Sequence, residues 1–184
     1  MSDEALELFR RSGAFQEGHF QLTSGRHSGA YVEKFQVLQY PAYTERLCGM
    51  IAGHFRDAGA DLVAGPTTGG VILSFEVGRQ LGVRGIFAES VEGGRRFRRG
   101  FVVNPGERVL VVDDVLTTGG SIRQVIDAVR EAGGVPIGVA VLVDRTGGKV
   151  DFDLPFFACL ELVVPSYEPS ACPLCQQGVP LKVT

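Results

Sequence analysis

Residues 109–121 have the sequence VLVVDDVLTTGGS, in which two adjacent carboxylates follow an apolar run. The run predicts a buried strand that ends at Asp113 and Asp114. The small residues that follow predict a tight turn into a helix. Glycines let the backbone approach a ligand closely, and backbone N–H groups at a helix N-terminus bind anions. The segment therefore predicts a phosphate site beside two acids, which would hold sugar hydroxyls or a divalent metal.

A simpler interpretation of this segment remains open. The acids could merely end the strand, while the threonines and the serine act as helix N-caps, a role that suits both residue types. A nucleoside triphosphatase is not expected, because the lysine and the GxxxxGK spacing of a Walker loop are absent.

Composition and charge exclude several functional classes. The chain has 184 residues, 45% of them hydrophobic and 21% charged, as in an ordinary globular domain. Its net charge of −3 gives no general attraction to nucleic acid or to an anionic membrane, so neither partner is expected. No apolar run reaches the roughly 18 residues of a membrane span. The N-terminal residues do not resemble a signal peptide, and four scattered cysteines do not form a disulfide framework, so a cytoplasmic protein is expected.

Apolar segments alternate with helical patterns along the middle of the chain. The segments DLVAGP, RGIFAE, ERVLVVDD, PIGVAVLVD and FFACLELVV predict strands. Helices between such strands favour an α/β fold, a parallel sheet flanked by helices on both faces. Ligands of these sheets bind at the carboxyl ends of the strands, which here are the turns at 65–70, 113–121 and 144–148.

One domain over residues 1–184 is expected, with three parts. These parts are a small N-terminal hood (1–40), an α/β core (41–165) and a C-terminal tail (166–184). The hood is expected to contain a helix at 3–12 and a small antiparallel hairpin within 18–39, and the core to open with a helix at about 41–58. The tail is expected to be irregular surface chain.

The polar segment 89–100, ESVEGGRRFRRG, lies between two predicted strands. It is expected to be a mobile loop or an extended hairpin. Its four arginines are well suited to bind an anion, although a run of like charges usually forms a solvated face.

Residues 109–121 resemble the phosphoribosyl pyrophosphate (PRPP) motif of the type I phosphoribosyltransferases: four apolar residues, two acids, two spacers and a small Thr/Gly turn. The resemblance implies a Rossmann-like fold in which both acids contact the ribose hydroxyls of PRPP and the turn binds its 5-phosphate. Mg²⁺ would be bound mainly through PRPP, with no direct protein ligand. The PRPP-binding residues so implied are Asp113, Asp114, Val115, Leu116, Thr117, Thr118, Gly119, Gly120 and Ser121.

Three further segments resemble the orotate phosphoribosyltransferases within this family. Residues 18–32 (GHFQLTSGRHSGAYV) resemble their hood, LVDR at 142–145 resembles a strand end whose arginine binds orotate, and GPTTGG at 65–70 lies where the family has its pyrophosphate loop. The resemblance implies transfer of the phosphoribosyl group from PRPP to orotate in pyrimidine biosynthesis, giving orotidine 5′-monophosphate and pyrophosphate. The implied contacts are Tyr31, Thr117 and Arg145 with orotate, and Thr67, Thr68 and Gly69 with pyrophosphate.

Arg145 and Tyr31 fit the chemistry of orotate, which is a planar anion with a carboxylate. A guanidinium binds a carboxylate through two parallel hydrogen bonds, and an aromatic ring can cover a planar base. Taken in isolation, Arg145 would more often be a surface arginine paired with Asp144.

The chain departs from better-known members of the family in its lysines. Those members carry lysine in the hood and in the pyrophosphate loop, where this sequence has Thr23 and Gly69. No lysine lies between Lys34 and Lys149. The residues that meet the pyrophosphate therefore cannot be carried over from the family one by one.

The arginines of segment 89–100 could replace these lysines. Arg95 and Arg96, nearer the tip of the segment, are the expected catalytic residues. In the family this loop reaches across a dimer to the neighbouring active site, so the resemblance also implies a homodimer.

Two rival functions remain open. The first is a phosphoribosyltransferase that acts on a purine base, against which the hood pattern and Arg145 argue. The second is a non-catalytic regulator that binds PRPP, which the missing lysines suggest. Against it, the basic cluster at 95–99 is small and the overall charge is negative.

Cys172 and Cys175 form a CPLC pair, which supplies two of the four ligands of a zinc site. No histidine lies near the pair in the sequence, so thiols on a surface tail are expected, with a zinc site shared across a dimer as the alternative. His19, His27 and His54 do not have the spacing of metal ligands.

Overall fold

A computed structural model describes residues 2–22 and 24–183, so the expectation for Thr23 lies outside the described residues. The helices are α1 (Ser2–Arg11), α2 (Lys34–Leu38), α3 (Pro41–His54), α4 (Gly69–Leu81), α5 (Gly120–Glu131) and α6 (Pro173–Gln176). The strands are β1 (Phe15–Gln21), β2 (His27–Val32), β3 (Leu62–Pro66), β4 (Arg84–Val91), β5 (Gly94–Phe97), β6 (Arg108–Leu116), β7 (Val135–Asp144), β8 (Phe156–Glu161), β9 (Ser166–Tyr167) and β10 (Lys182–Val183). No helix of the described chain is long and apolar enough to cross a membrane.

The larger sheet has the strand order β5-β4-β3-β6-β7-β8. Its strands pair in parallel, except that β5 runs antiparallel to β4. Helices cover both faces, because α1, α3 and α4 pack against one side of the sheet and α5 packs against the other. The expected α/β class with a parallel sheet flanked by helices is confirmed.

Strand β6 shows why the apolar run of the sequence was continuous. Leu110 and Val112 face the core under α1, α3 and α4, whereas Val109 and Val111 face the core under α5. Successive side chains of a strand point to opposite faces, so a strand covered on both faces must be apolar at every position. The same alternation carries the two acids that follow to opposite sides of the strand end.

The smaller sheet has the order β10-β1-β2-β9. Strands β1 and β2 form the antiparallel hairpin expected in the hood. Strand β9 pairs with β2, and β10 pairs with β1, so both ends of the tail are bound to the hood. The tail lies at the surface as expected, and most of its residues are exposed. It is not irregular throughout, because it contains β9, α6 and β10, which the sequence pattern did not reveal.

Segment 89–100 is a hairpin at the edge of the larger sheet. Ser90 pairs with Arg95 and Glu89 with Arg96 across β4 and β5. Of the two expectations for this segment, the extended hairpin is the one that the structure has. Because neighbouring residues of a strand point to opposite faces, the side chains of Arg95 and Arg96 are expected to contact different neighbours.

Candidate active site

A cleft of about 360 Å³ opens at the carboxyl ends of β3, β6 and β7, beneath the hood. It brings together residues that lie far apart in the sequence. Its lining includes Tyr31, Lys34, Thr67, Thr68, Asp113, Asp114, Thr117, Ser121 and Arg145. The turns that the strand-end rule selected therefore meet at one place, and the hood adds Tyr31, Val32, Glu33 and Lys34.

The two acids at the end of β6 are almost completely buried. Asp113 is 6% exposed and Asp114 is 4% exposed. The backbone N–H of Asp114 donates to Oδ1 of Asp113 (2.8 Å), and the N–H of Val115 donates to Oδ1 of Asp114 (2.7 Å). Burial, together with the neighbouring carboxylate of Asp114, raises the pKa of Asp113 to about 7. The site thus holds one carboxyl that titrates near neutral pH.

Lys34 supplies a cation that the sequence analysis did not assign to the site. Its Nζ lies 3.1 Å from both carboxylate oxygens of Asp114. The residue begins α2, directly after the hood hairpin, and its position three residues after Tyr31 was the available signal. A lysine that lies beside a buried acid pair offsets part of the cost of burying the charge.

Gly69 shows why the pyrophosphate loop of this chain carries no lysine at that position. A Cβ atom on Gly69 would lie 1.8 Å from Oδ2 of Asp114. Any side chain there would collide with the carboxylate, so the glycine and the position of Asp114 depend on each other. The peptide bond between Thr67 and Thr68, just before it, is cis.

The turn after the acids leaves its hydroxyls available. Gly119 is the N-cap of α5 with φ +79, and no side-chain hydrogen bond caps the helix. Thr117, Thr118 and Ser121 are exposed at the helix N-terminus. The interpretation in which these hydroxyls serve as helix caps is therefore wrong. The N–H groups of the first helical turn and these three hydroxyls have the chemistry to bind an anion.

Arg145 follows β7 and lies in the cleft with a half-buried side chain. Its neighbour Asp144 is buried and accepts a hydrogen bond from the backbone N–H of Thr146 (2.7 Å). The ion pairs found in the described part of the chain do not include Arg145. The alternative of a surface pair between Arg145 and Asp144 is wrong, and Arg145 lines the cleft instead.

Tyr31 faces the same cleft from β2. Its hydroxyl donates to Oε2 of Glu33 (3.1 Å), and its ring lies 5.7 Å from that of Phe20, centroid to centroid. Burial and the negative charge of Glu33 raise the pKa of Tyr31, and the positive charge of Arg145 opposes them. Tyr31 and Arg145 thus line the same cleft.

The hairpin arginines point in different directions. Nη1 of Arg95 donates to Oγ1 of Thr67 (3.2 Å) and to the carbonyl oxygen of Ala88 (3.2 Å). Its Nε is buried and has no hydrogen-bond partner among the described residues. Arg96 instead lies 3.5 Å from Glu131 on α5, away from the cleft. Only the first of the two expected catalytic arginines lies beside the pyrophosphate loop of its own chain.

The cysteine pair of the tail does not match its expectation either. Cys172 is completely buried, and its Sγ lies 3.4 Å from Nε2 of His19. His27 belongs to the same cluster, whereas His54 stacks on Phe157 elsewhere in the chain. The expectation of thiols on a surface tail is wrong for Cys172, because the tail folds back over the hood and brings together residues that are more than 140 positions apart.

Comparison with known proteins agrees with this geometry. The sequence model of the phosphoribosyl transferase domain matches residues 36–169. Orotate phosphoribosyltransferase of Heliobacterium modesticaldum is 54% identical over 97% of this chain and 94% of the relative. The enzyme of the same name from Chlorobaculum parvum is 51% identical over 98% of this chain and 93% of the relative.

The chain belongs to the orotate phosphoribosyltransferase family. Solved structures of orotate phosphoribosyltransferases share its fold. The enzyme of Aeropyrum pernix has a TM-score of 0.68 at 26% identity and covers 85% of this chain and 92% of its own. The Mycobacterium tuberculosis enzyme, solved with inorganic phosphate, has a TM-score of 0.70 at 26% identity and covers 88% and 95%.

In this member of the orotate phosphoribosyltransferase family, Asp113 makes stability depend on pH. Its pKa is raised from 3.8 to about 7, so the folded protein keeps a proton that the unfolded chain loses. Between these values, the contribution of Asp113 to wild-type stability falls as pH rises. We expect Asp113→Asn to abolish that fall, which amounts to at most about 4 kcal/mol, in urea unfolding across this range.

Asp127→Asn is the matched control, because it removes an exposed carboxyl from α5. Its unfolding free energy should keep the wild-type pH dependence. Parallel curves for wild type and Asp113→Asn would show that Asp113 does not titrate in this range.

Proposed function

We propose that this chain transfers the 5-phosphoribosyl group of PRPP to N1 of orotate, which gives orotidine 5′-monophosphate and pyrophosphate in pyrimidine biosynthesis. The observation that carries the proposal is one cleft in which three features meet: an acid pair, the turn at the start of α5, and Arg145, which has no ion-pair partner among the described residues. The names of the closely similar relatives support the same reaction.

PRPP would bind along the end of β6 and the start of α5. The 5-phosphate would accept hydrogen bonds from the turn of residues 115–121, where hydroxyls and helix N–H groups are available. The ribose hydroxyls would donate to Asp113 and Asp114, which lie directly before that turn. Lys34, paired with Asp114, would stand close enough to attract the anionic substrate.

Orotate would bind between β7 and the hood. Arg145 has the charge and the planar fork for its carboxylate, and Tyr31 offers an aromatic face for the ring. Thr117 lies at the same edge and would contact the base. The nucleophilic ring nitrogen would then face the ribose carbon of PRPP, an arrangement that lowers the entropic cost of the reaction.

Mg²⁺ would reach the site mainly through PRPP. Carboxylate oxygens suit this ion. Asp113 and Asp114 form a buried pair, and Lys34 lies beside it. Two carboxylates and one lysine fit a divalent cation that comes with the substrate. When bound, Mg²⁺ neutralises charge on the pyrophosphate group. In the same complex, Asp113 and Asp114 would hold the ribose hydroxyls of PRPP in place.

Pyrophosphate would leave towards the loop of residues 66–69 and Arg95. Negative charge grows on the leaving group as its bond to ribose breaks, and a fixed cation stabilises that charge. Arg95 already donates to Thr67 and has a buried Nε without a described partner. Arg96 as a second catalytic residue would require either a movement of the hairpin or a neighbouring chain.

A homodimer would give Arg96 such a neighbour, with segment 89–100 reaching the partner's site. Helix α4 leaves Phe75 68% exposed beside Ile72, an apolar surface that suits an interface.

We expect the wild type to sediment as a dimer at micromolar concentration and Phe75→Glu to shift it towards monomer. A monomeric wild type would contradict this assembly.

The reaction itself is tested by the loss of orotate absorbance with PRPP and Mg²⁺. Turnover with orotate and none with adenine, guanine or hypoxanthine would support the proposal. Turnover with a purine base alone would replace orotate as the substrate. Tight PRPP binding without turnover of any base would identify a regulator instead of an enzyme.

Arg145→Lys should raise the KM for orotate about 10–100-fold with a smaller change in kcat, because lysine keeps the charge but loses the two parallel hydrogen bonds. Steady-state kinetics at saturating PRPP would measure this. Arg130→Lys, at an exposed position of α5, is the matched control and should be close to wild type. An unchanged KM in Arg145→Lys would remove Arg145 from the orotate site.

Arg95→Ala should lower kcat/KM for PRPP about 10–100-fold, since a charged contact to the pyrophosphate is lost. If the hairpin serves only its own chain, Arg96→Ala should change it less than about 3-fold, because the contact of Arg96 with Glu131 is exposed. If segment 89–100 reaches the site of a partner chain, Arg96→Ala should lower it as Arg95→Ala does. Equal losses in both variants would therefore mean that the hairpin reaches a partner chain or acts in another conformation. No loss in either would remove both arginines from catalysis.

A further inference from the structure

Four potential metal ligands meet in the hood, outside the cleft. They are His19 on β1, His27 on β2, and Cys172 and Cys175 beside α6. Their ligand atoms all lie within 4.8 Å of one another. Neither the phosphoribosyl transfer nor the binding of its substrates uses any of them.

Three of the four contact distances in this cluster lie in the range of one tetrahedral ion, and the fourth, between the two imidazoles, is shorter. His19 Nε2 lies 3.0 Å from His27 Nδ1 and 3.4 Å from Cys172 Sγ. Cys175 Sγ lies 3.3 Å from His27 Nδ1 and 3.7 Å from His19 Nε2. Tetrahedral zinc with its usual bond lengths separates neighbouring nitrogen and sulfur ligands by about 3.3–3.8 Å. The side chains thus already surround a space of the right size.

The second nitrogen of His19 is held by the protein. Its Nδ1 lies 2.8 Å from the carbonyl oxygen of Val179, which accepts a hydrogen bond only if Nδ1 carries the proton. In that tautomer Nε2 presents its lone pair to the cluster. A backbone carbonyl that fixes the ring of a metal-ligating histidine in this way is common around zinc.

Both ends of the tail are joined to the strands that carry the histidines. Phe20, next to His19, pairs with Lys182, and His27 itself pairs with Tyr167. The C-x-x-C spacing then places both thiols at the first turn of α6, over the hairpin. Cys172, His19 and His27 are buried, while Cys175 is exposed and leaves a path by which an ion can enter.

We propose that His19, His27, Cys172 and Cys175 bind one structural Zn²⁺ ion that fastens the segment 166–183 to the hood. Two thiolates and two imidazoles favour zinc over magnesium or calcium, which prefer oxygen. All four positions are filled by protein side chains, which is typical of structural and not of catalytic zinc. All four ligands come from one chain, so the alternative of a site shared across a dimer is not needed.

Metal analysis of the full chain, purified without a histidine tag or chelator and kept reduced, tests this proposal directly. We expect about one zinc per chain. Replacement of zinc by Co²⁺ should give the visible absorption of a tetrahedral thiolate site. The double variant Cys172→Ser/Cys175→Ser should lose both signals.

Two matched controls lie outside the cluster. Cys159→Ala removes a buried core thiol, and His54→Gln removes the remaining histidine of the chain. Both variants should keep the zinc and the Co²⁺ spectrum. Chelation should lower the Tm of wild type by roughly 5 °C or more and leave that of the double variant unchanged.

Three outcomes would overturn the proposal. The first is a reduced wild-type protein that holds far less than one zinc per chain and takes up neither added Zn²⁺ nor Co²⁺. The second is a disulfide between Cys172 and Cys175 in the freshly isolated protein. The third is zinc that persists at full stoichiometry in the folded double variant, which would place the ion elsewhere.

Discussion

The burial of two adjacent carboxylates at the end of β6 is the constraint on which the rest of the site depends. A parallel strand covered on both faces carries Asp113 and Asp114 to opposite sides of its end, where water is largely excluded. Asp114 is compensated by Lys34 and the backbone N–H of Val115, whereas Asp113 accepts the N–H of Asp114 and has a raised pKa. Gly69 must remain without a side chain for the same reason. The hood, the loop of residues 66–69 and the end of β6 are thus all arranged around the free-energy cost of removing two carboxylates from water.

Much of this arrangement could be predicted from the sequence, because it depends on local pattern. Continuous apolar runs predicted the strands of the parallel sheet. In residues 109–121, a strand, two acids and a small turn follow one another without interruption. The rule that ligands bind at strand ends then placed Arg145 near the turn. The individual contacts of these residues with PRPP and orotate stay predictions.

What escaped prediction depends on which way a side chain points and on contacts between distant segments. Lys34 reaches Asp114 only because the hood hairpin folds over the core. Arg95 and Arg96 are adjacent residues of the same type, so the sequence cannot tell them apart. The pairing register of β5 with β4 gives their side chains different neighbours. The histidines of the hood and the cysteines of the tail are separated in the sequence by the whole core, so no spacing rule could join them. Tail pairing, which involves strands of two residues, gives almost no periodic signal.

The edge position of β5 has a consequence for solubility. An edge strand exposes unpaired backbone groups and invites pairing with a strand of another molecule, and proteins prevent this with short strands and charged side chains. Strand β5 has four residues, two of them arginines, and Arg98 and Arg99 follow directly. The arginine-rich hairpin therefore also ends the sheet, and it keeps the β-structure from continuing into a neighbouring molecule.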